Sequence, residues 1–168
     1  MARHLSIELP KHDLRCVARL LEAEAPRTCA AVWAALPLAG DVYHAKYARN
    51  ELYTFVPPVA ELPIGAENPT VTPIPGDVVY FEFSSGALPA ATYGYGDGEG
   101  AAGRDMVVDL ALFYGRNNLL LNGDVGWVPG NVFATIVKGL DQLAAVGNDL
   151  WRAGAIGEEL RFSRLEAT

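Results

Sequence analysis

The chain has 168 residues, 51% of them hydrophobic and 20% charged, with a formal net charge of −7. That length suits one domain whose core can stand without disulfides or metals, and the composition excludes an intrinsically disordered chain. The 13 basic residues are scattered among 20 acidic ones with no basic run, which argues against nucleic acid and anionic membrane surfaces as partners.

Leu5, Ile7 and Leu9 alternate with Ser6 and Glu8, the period of a half-buried strand. Pro10 to Asp13 turn the chain, and alternating Leu14, Cys16, Ala18 and Leu20 bring it back as an antiparallel hairpin. A helix opens at Pro26, where the missing N–H costs nothing, with Glu22 and Glu24 placed near its positive end. Cys29, Val32, Trp33 and Leu36 form its apolar stripe, and Pro37 ends it.

A second hairpin is predicted from Gly40 to Val56, with strands at Val42–Tyr47 and Leu52–Val56 around a turn of Ala48 to Glu51. The proline-rich Pro57 to Pro75 reads as a long loop, and Val78 to Phe83 as a strand. Ala90 to Tyr95 suggests a further strand and Gly94 to Gly103 a glycine-rich loop. Met106 to Tyr114 fits a buried strand, although its period alone also allows a short helix. Turn-rich Gly115 to Gly130, a strand at Val132–Val137, a helix from Gly139 to Ala153 capped by Gly154, and a strand from Glu158 to Leu165 complete the chain. The fold class expected is mainly β, a closed or nearly closed antiparallel barrel capped by two α-helices, since closure removes exposed edges.

No stretch reaches the ~20 apolar residues of a membrane span. The opening Met1 to Glu8 lacks the apolar run of a secretory signal, so a cytoplasmic location is expected. Cys16 and Cys29 are too few for a disulfide framework and read as reduced, buried small hydrophobes. His4, His12 and His44 lack metal-ligand spacing, the glycines around Gly96 do not sit between a strand and a long helix, and no GxSxG elbow occurs. No metal or cofactor is expected.

Ala25-Pro26-Arg27-Thr28, entered through Glu22 and Glu24 and running to Leu36-Pro37, resembles the opening of cyclophilins. Pro75-Gly76-Asp77-Val78-Val79-Tyr80, together with KYARNELY (46–53), ENPTVTPIPGD (67–77) and FYGRNNLLLNGD (113–124), resembles a bacterial family of cyclophilin-like proteins of unknown function. The resemblance covers most of the chain and implies a cyclophilin-like barrel. Isomerase cyclophilins carry Phe-His-Arg on an early strand, with the Arg central to catalysis. Here the nearest segment is Tyr43-His44-Ala45-Lys46, without that Arg, so peptidyl-prolyl isomerase activity is not expected.

Polar residues at a barrel mouth are the default site. Candidates for ligand binding are Tyr43, His44, Lys46, Arg49, Asn50, Glu82, Arg116 and Asn117. If Val42–Tyr47 is a strand, His44 and Lys46 share a face and place a titratable ring beside a fixed charge, suited to a carboxylate; a simply solvated face explains them as well. Glu82 is a rim residue or the partner of a cation such as Arg49 or Arg116. Arg116 and Asn117 suggest an anion- or amide-recognising loop, though asparagines also favour turns on local grounds. Asp109, in an apolar strand, reads as a hydrogen-bonded structural anchor.

A small polar or anionic metabolite is the partner this pattern favours. The alternatives are an enzyme using His44 or Glu82 in general acid–base chemistry on an amide or ring substrate, and a structural homo-oligomer.

Overall fold

Alternation in the first hairpin is clean because one face is buried: Leu14, Cys16, Ala18 and Leu20 face the core while Arg15 and Arg19 face water. In the computed structural model, which describes residues 2–84, 87 and 106–165, that hairpin is β1 (His4–Leu9) and β2 (Leu14–Leu20), joined by a 3-10 turn over Pro10–His12. There follow α1 (Pro26–Ala35), β3 (Leu38–Asp41), β4 (Tyr43–His44), β5 (Glu51–Val56), β6 (Pro69–Thr70) and β7 (Asp77–Ser84). The rest is β8 (Met106–Phe113), β9 (Leu121–Asn122), β10 (Gly126–Trp127), β11 (Gly130–Lys138), α2 (Leu140–Ala153) and β12 (Glu159–Leu165). The expected strand at Ala90 to Tyr95 and the glycine loop after it lie outside the described residues.

One antiparallel sheet runs β3-β12-β1-β2-β11-β7-β8-β5-β4, with β6 added to β11, and β9 and β10 form a separate small hairpin. β3 and β4 lie at opposite ends of this order yet are separated in the chain by Val42 alone, so the sheet curls until its ends approach. At the seam a Cβ on Gly40 would lie 2.5 Å from Thr54 Oγ1 and 2.7 Å from the Phe55 carbonyl oxygen, which is why glycine stands there. No pairing joins β3 to β5 among the described residues, so the hydrogen-bond ladder stays open at this point. The fold is mainly β and antiparallel with two helices, not a barrel with a closed ladder.

The larger core lies inside the curl, built from Leu5, Ile7, Leu52, Val108, Leu110, Leu112, Phe133 and Phe162, and α1 adds Cys29 and Val32. The second core, with Phe81, Ala111, Phe113 and Leu120, lies on the other face of β7 and β8. Both thiols are buried and unpaired, and burial pushes each up to about 11. Met106–Phe113 proves to be a strand, and Gly139 and Gly154 bound α2 as expected.

Two expectations need correction. Val42–Tyr47 is not one strand: pairing stops at His44, opposite Leu52, and the chain then bends. The acid at the start of α1 is Glu67, not Glu22 or Glu24. Its carboxylate accepts hydrogen bonds from the Thr28 amide (2.7 Å) and hydroxyl (2.9 Å) and from the Arg27 amide (3.2 Å), whereas Glu22 pairs with Arg3.

Candidate functional site

Two loops beside the β8-β5-β4 end of the sheet are stitched together by asparagine amides. The Asn50 amide N–H donates to Asn118 Oδ1 (3.1 Å), and Asn50 Nδ2 donates to the Arg116 carbonyl (2.7 Å). Asn118 Nδ2 in turn donates to the carbonyls of Gly115 (2.7 Å) and Pro73 (3.0 Å). Arg49 and Asn117 both take left-handed backbone conformations, φ 69° and 64°. Asn adopts this readily, while Arg does so at a steric cost that the stitching must offset.

Helix α2 packs against these loops at Gly147, where a Cβ would sit 2.5 Å from the Tyr114 ring. The absent side chain lets Tyr114 lie under the helix and reach His44. The result is a cleft of about 540 Å³ lined by His44, Lys46, Arg49, Asn50, Asn117 and Trp151, with Tyr114, Asn148 and others completing the wall. Among the described residues, no carboxylate lines it.

Within the cleft the imidazole is oriented from both sides. The Ala45 carbonyl, 3.2 Å from His44 Nδ1, can only accept, so Nδ1 carries the proton and Nε2 accepts from the Tyr114 hydroxyl at 2.6 Å. The Trp151 ring leans on His44 with centroids 5.1 Å apart. Burial lowers the His44 pKa, against a smaller upward pull from the Ala45 carbonyl, so the ring is neutral near pH 7. Burial also raises the Tyr114 pKa and keeps the phenol protonated.

Of the residues singled out from the sequence, His44, Lys46, Arg49, Asn50 and Asn117 meet in this cleft. His44 and Lys46 do so through the bend after β4, not through strand alternation. Tyr43 lines the adjoining cleft of about 560 Å³, which shares His44 and Trp151, and stacks on Tyr53 at 5.4 Å. Arg116 does not line this cleft and borders a groove with Thr72, Pro73, Ile74 and Pro75 that shares Asn117 with it.

Glu82 lines neither cleft and pairs with no cation among the described residues. Its carboxylate accepts from the Ile64 amide (2.8 Å), the Gly65 amide (3.2 Å) and the Tyr80 hydroxyl (2.8 Å), pinning the proline-rich loop. Asp109 is also not the satisfied anchor expected: it is 6% exposed, and its Oδ1 has no hydrogen-bond partner among the described residues. Asn148 and Trp151 were missing from the candidate site read in the sequence. The one available signal was Gly147, a glycine inside the apolar stripe of a helix, which marks close packing by another element.

The family model described as "Protein of unknown function (DUF3830)" matches residues 7–162. The chain belongs to this DUF3830 family. No curated protein matches it at a significant level. Among solved structures, McbB in complex with tryptophan is similar, with a TM-score of 0.62 and 18% identity. The alignment covers 98% of this chain and 46% of the McbB chain, so this DUF3830 protein spans less than half of that one. At this identity the likeness concerns the fold. Among the described residues, no helix of the DUF3830 chain is long and apolar enough to cross a membrane, and no group of three or more His, Cys, Asp or Glu side chains is arranged to hold a metal ion.

Proposed function

We propose that this chain is a cyclophilin-like, nearly closed barrel that binds a small anionic metabolite, a carboxylate above all, in the cleft under Trp151. One observation carries this reading: in a chain of net charge −7, the cleft brings together Lys46, Arg49 and the amides of Asn117 and Asn148, with no acidic side chain among the described residues that line it. Such a lining favours an anion electrostatically and supplies N–H donors for its oxygens. Trp151 and Tyr114 offer ring faces for an apolar body. Tryptophan, which McbB holds, joins a carboxylate to an aromatic ring, so aromatic carboxylates head the compounds to test. A reducing, cytoplasmic setting goes with this reading, since both cysteines are free and buried.

The test is calorimetric titration with a panel of aromatic and aliphatic carboxylates beside their amides. Binding of carboxylates but not amides, weakened roughly tenfold or more by Arg49→Ala or Lys46→Ala, supports the proposal. Equal binding of the amides, or affinity indifferent to both substitutions, refutes it.

The His44–Tyr114 hydrogen bond favours a second reading, an enzyme using general acid–base chemistry on an amide or ring substrate. A neutral imidazole whose Nε2 already accepts a phenol proton is able to take up a proton relayed through Tyr114. Product formed from a bound compound, and lost in His44→Ala with binding retained, would establish it. Compounds recovered unchanged from the wild-type protein would exclude it for that panel.

A further inference from the structure

The outward face of β5 and β8 carries two carboxyl groups that the cleft does not use. In the antiparallel register, Glu51 lies opposite Phe113, and Asp109 lies between Phe55 on one neighbouring strand and Phe81 on the other. The small Ala111 lies between Asp109 and Phe113 on this face, and Glu51 is near enough for its charge to act on Asp109. Glu51 is 5% exposed and Asp109 6% exposed, and neither is ion-paired with an arginine or lysine among the described residues.

Around the acids stand aromatic rings. Phe81 stacks on Phe83 at 6.0 Å, Tyr53 meets Phe55 edge-on at 5.5 Å, and Tyr43 stacks on Tyr53 at 5.4 Å. Tyr43, Tyr53, Phe55 and Phe83 are half-buried, so part of each ring remains in contact with water.

A buried carboxyl oxygen without a donor is costly, and native folds rarely retain one unless something else meets it. Here the cost is compounded, since burial and then the neighbouring Glu51 charge both push Asp109 well above the ordinary carboxylate range. Nothing in the fold requires an acid at this position: the same strand has Val107, Val108, Leu110 and Leu112 around it, all fully buried.

We infer that Glu51 and Asp109, with Phe55, Phe81 and Tyr53 around them, form a second binding site, for the ammonium group of a small amine with an apolar or aromatic body. Burial also raises Glu51, to about 8, so both acids are held toward their neutral forms. An ammonium group supplies the N–H donors that Asp109 Oδ1 lacks and the positive charge that favours ionisation of the pair. Ring faces attract the same cation. This site stands independently of the anion cleft, whose lining residues it does not share.

The test uses the whole protein with benzylamine as the cationic probe at neutral pH, and benzyl alcohol and benzoate as neutral and anionic counterparts. The expected results are saturable calorimetric binding of benzylamine, no binding of benzyl alcohol, and an affinity weakened at least roughly tenfold by Asp109→Asn. Should Asp109→Asn fail to fold, Glu51→Gln is read in the same way. A wild-type protein that ignores benzylamine, binds benzyl alcohol equally well, or keeps its benzylamine affinity in the asparagine variant overturns the assignment. Carboxylate binding at the cleft is measured in the same variants, so failure of one site is distinguishable from failure of the other.

Discussion

Glu67 should be one of the most sensitive acids in the molecule, although it lies in a loop. It reaches across to the first turn of α1, which has no capping side chain of its own, and accepts from the amides of Arg27 and Thr28 and the Thr28 hydroxyl. Removing a helix cap costs ~0.5–2 kcal/mol, and losing an anion beside the positive helix end costs a further ~0.3–1 kcal/mol. The Arg27 ion pair is discounted, because that guanidinium is 63% exposed. Glu67→Ala should therefore lose ~1–3 kcal/mol, or roughly 3–10 °C in Tm for a domain of this size.

The pH dependence follows from the same contacts. Burial pushes the Glu67 carboxyl up, but the hydrogen bonds from Thr28 and Arg27 outweigh it and hold the group below its ordinary range. A depressed folded-state pKa gives stability that is complete above the unfolded value, about 4.3, and is lost as pH falls through the folded value. Urea unfolding of wild type and Glu67→Ala from pH 3 to pH 7 measures this directly. The gap between the two should be widest at neutral pH and close in acid. A gap under about 0.5 kcal/mol at pH 7, or one that widens in acid, would refute the capping role.

Three further substitutions probe other elements. Gly147→Ala should destabilise by ~1–3 kcal/mol through overpacking on Tyr114, despite the ~1 kcal/mol gain in helix propensity, and should raise the His44 pKa as the ring is displaced into water; NMR titration of the His44 ring and urea unfolding check both. Thr54→Val removes a buried hydroxyl that has no partner among the described residues at the β3–β5 seam, so unfolding should show no loss and up to ~1 kcal/mol of gain, whereas a loss beyond ~1 kcal/mol would mean that the hydroxyl is satisfied. Glu82→Gln should speed hydrogen exchange at the Ile64 and Gly65 amides while leaving carboxylate affinity at the cleft unchanged; altered affinity would return Glu82 to the binding site.

Where one face of an element is buried along its whole length, its period is visible in the chain. β2 and both helices were legible for that reason, β7, β8 and β11 were legible as apolar runs buried on both faces, and the glycines at 139 and 154 marked the ends of α2 because the backbone there has positive φ. Tyr43 to Tyr47 misled because aromatic residues alternate there as they would in a strand. What ends the strand is tertiary: the Ala45 amide still bonds the Glu51 carbonyl in register, and beyond it the loop is tied to Asn118. Residues 68 positions apart in sequence impose that bend, and no local pattern encodes it.

The same distinction separates the parts of the site that could be read from those that could not. Charge and amide chemistry singled out Lys46, Arg49, Asn50 and Asn117 as candidates, although asparagines also favour turns on local grounds. Arg116 has the same chemistry and lies next to Asn117 in sequence, yet it borders another groove. Asn117 lines both hollows and Arg116 only the second, so neighbouring side chains in a loop need not share a site. Glu82 illustrates the converse. A carboxylate in an apolar strand signals a constraint, but a cation, a ligand and two backbone amides all satisfy such a group, and only the path of the Pro57 to Pro75 loop selects the amides. Asp109 raises the same question without the same answer, since no amide or hydroxyl arrives at its Oδ1. Two acids with one sequence signature thus part ways, one closed off by the fold and the other left open to a ligand.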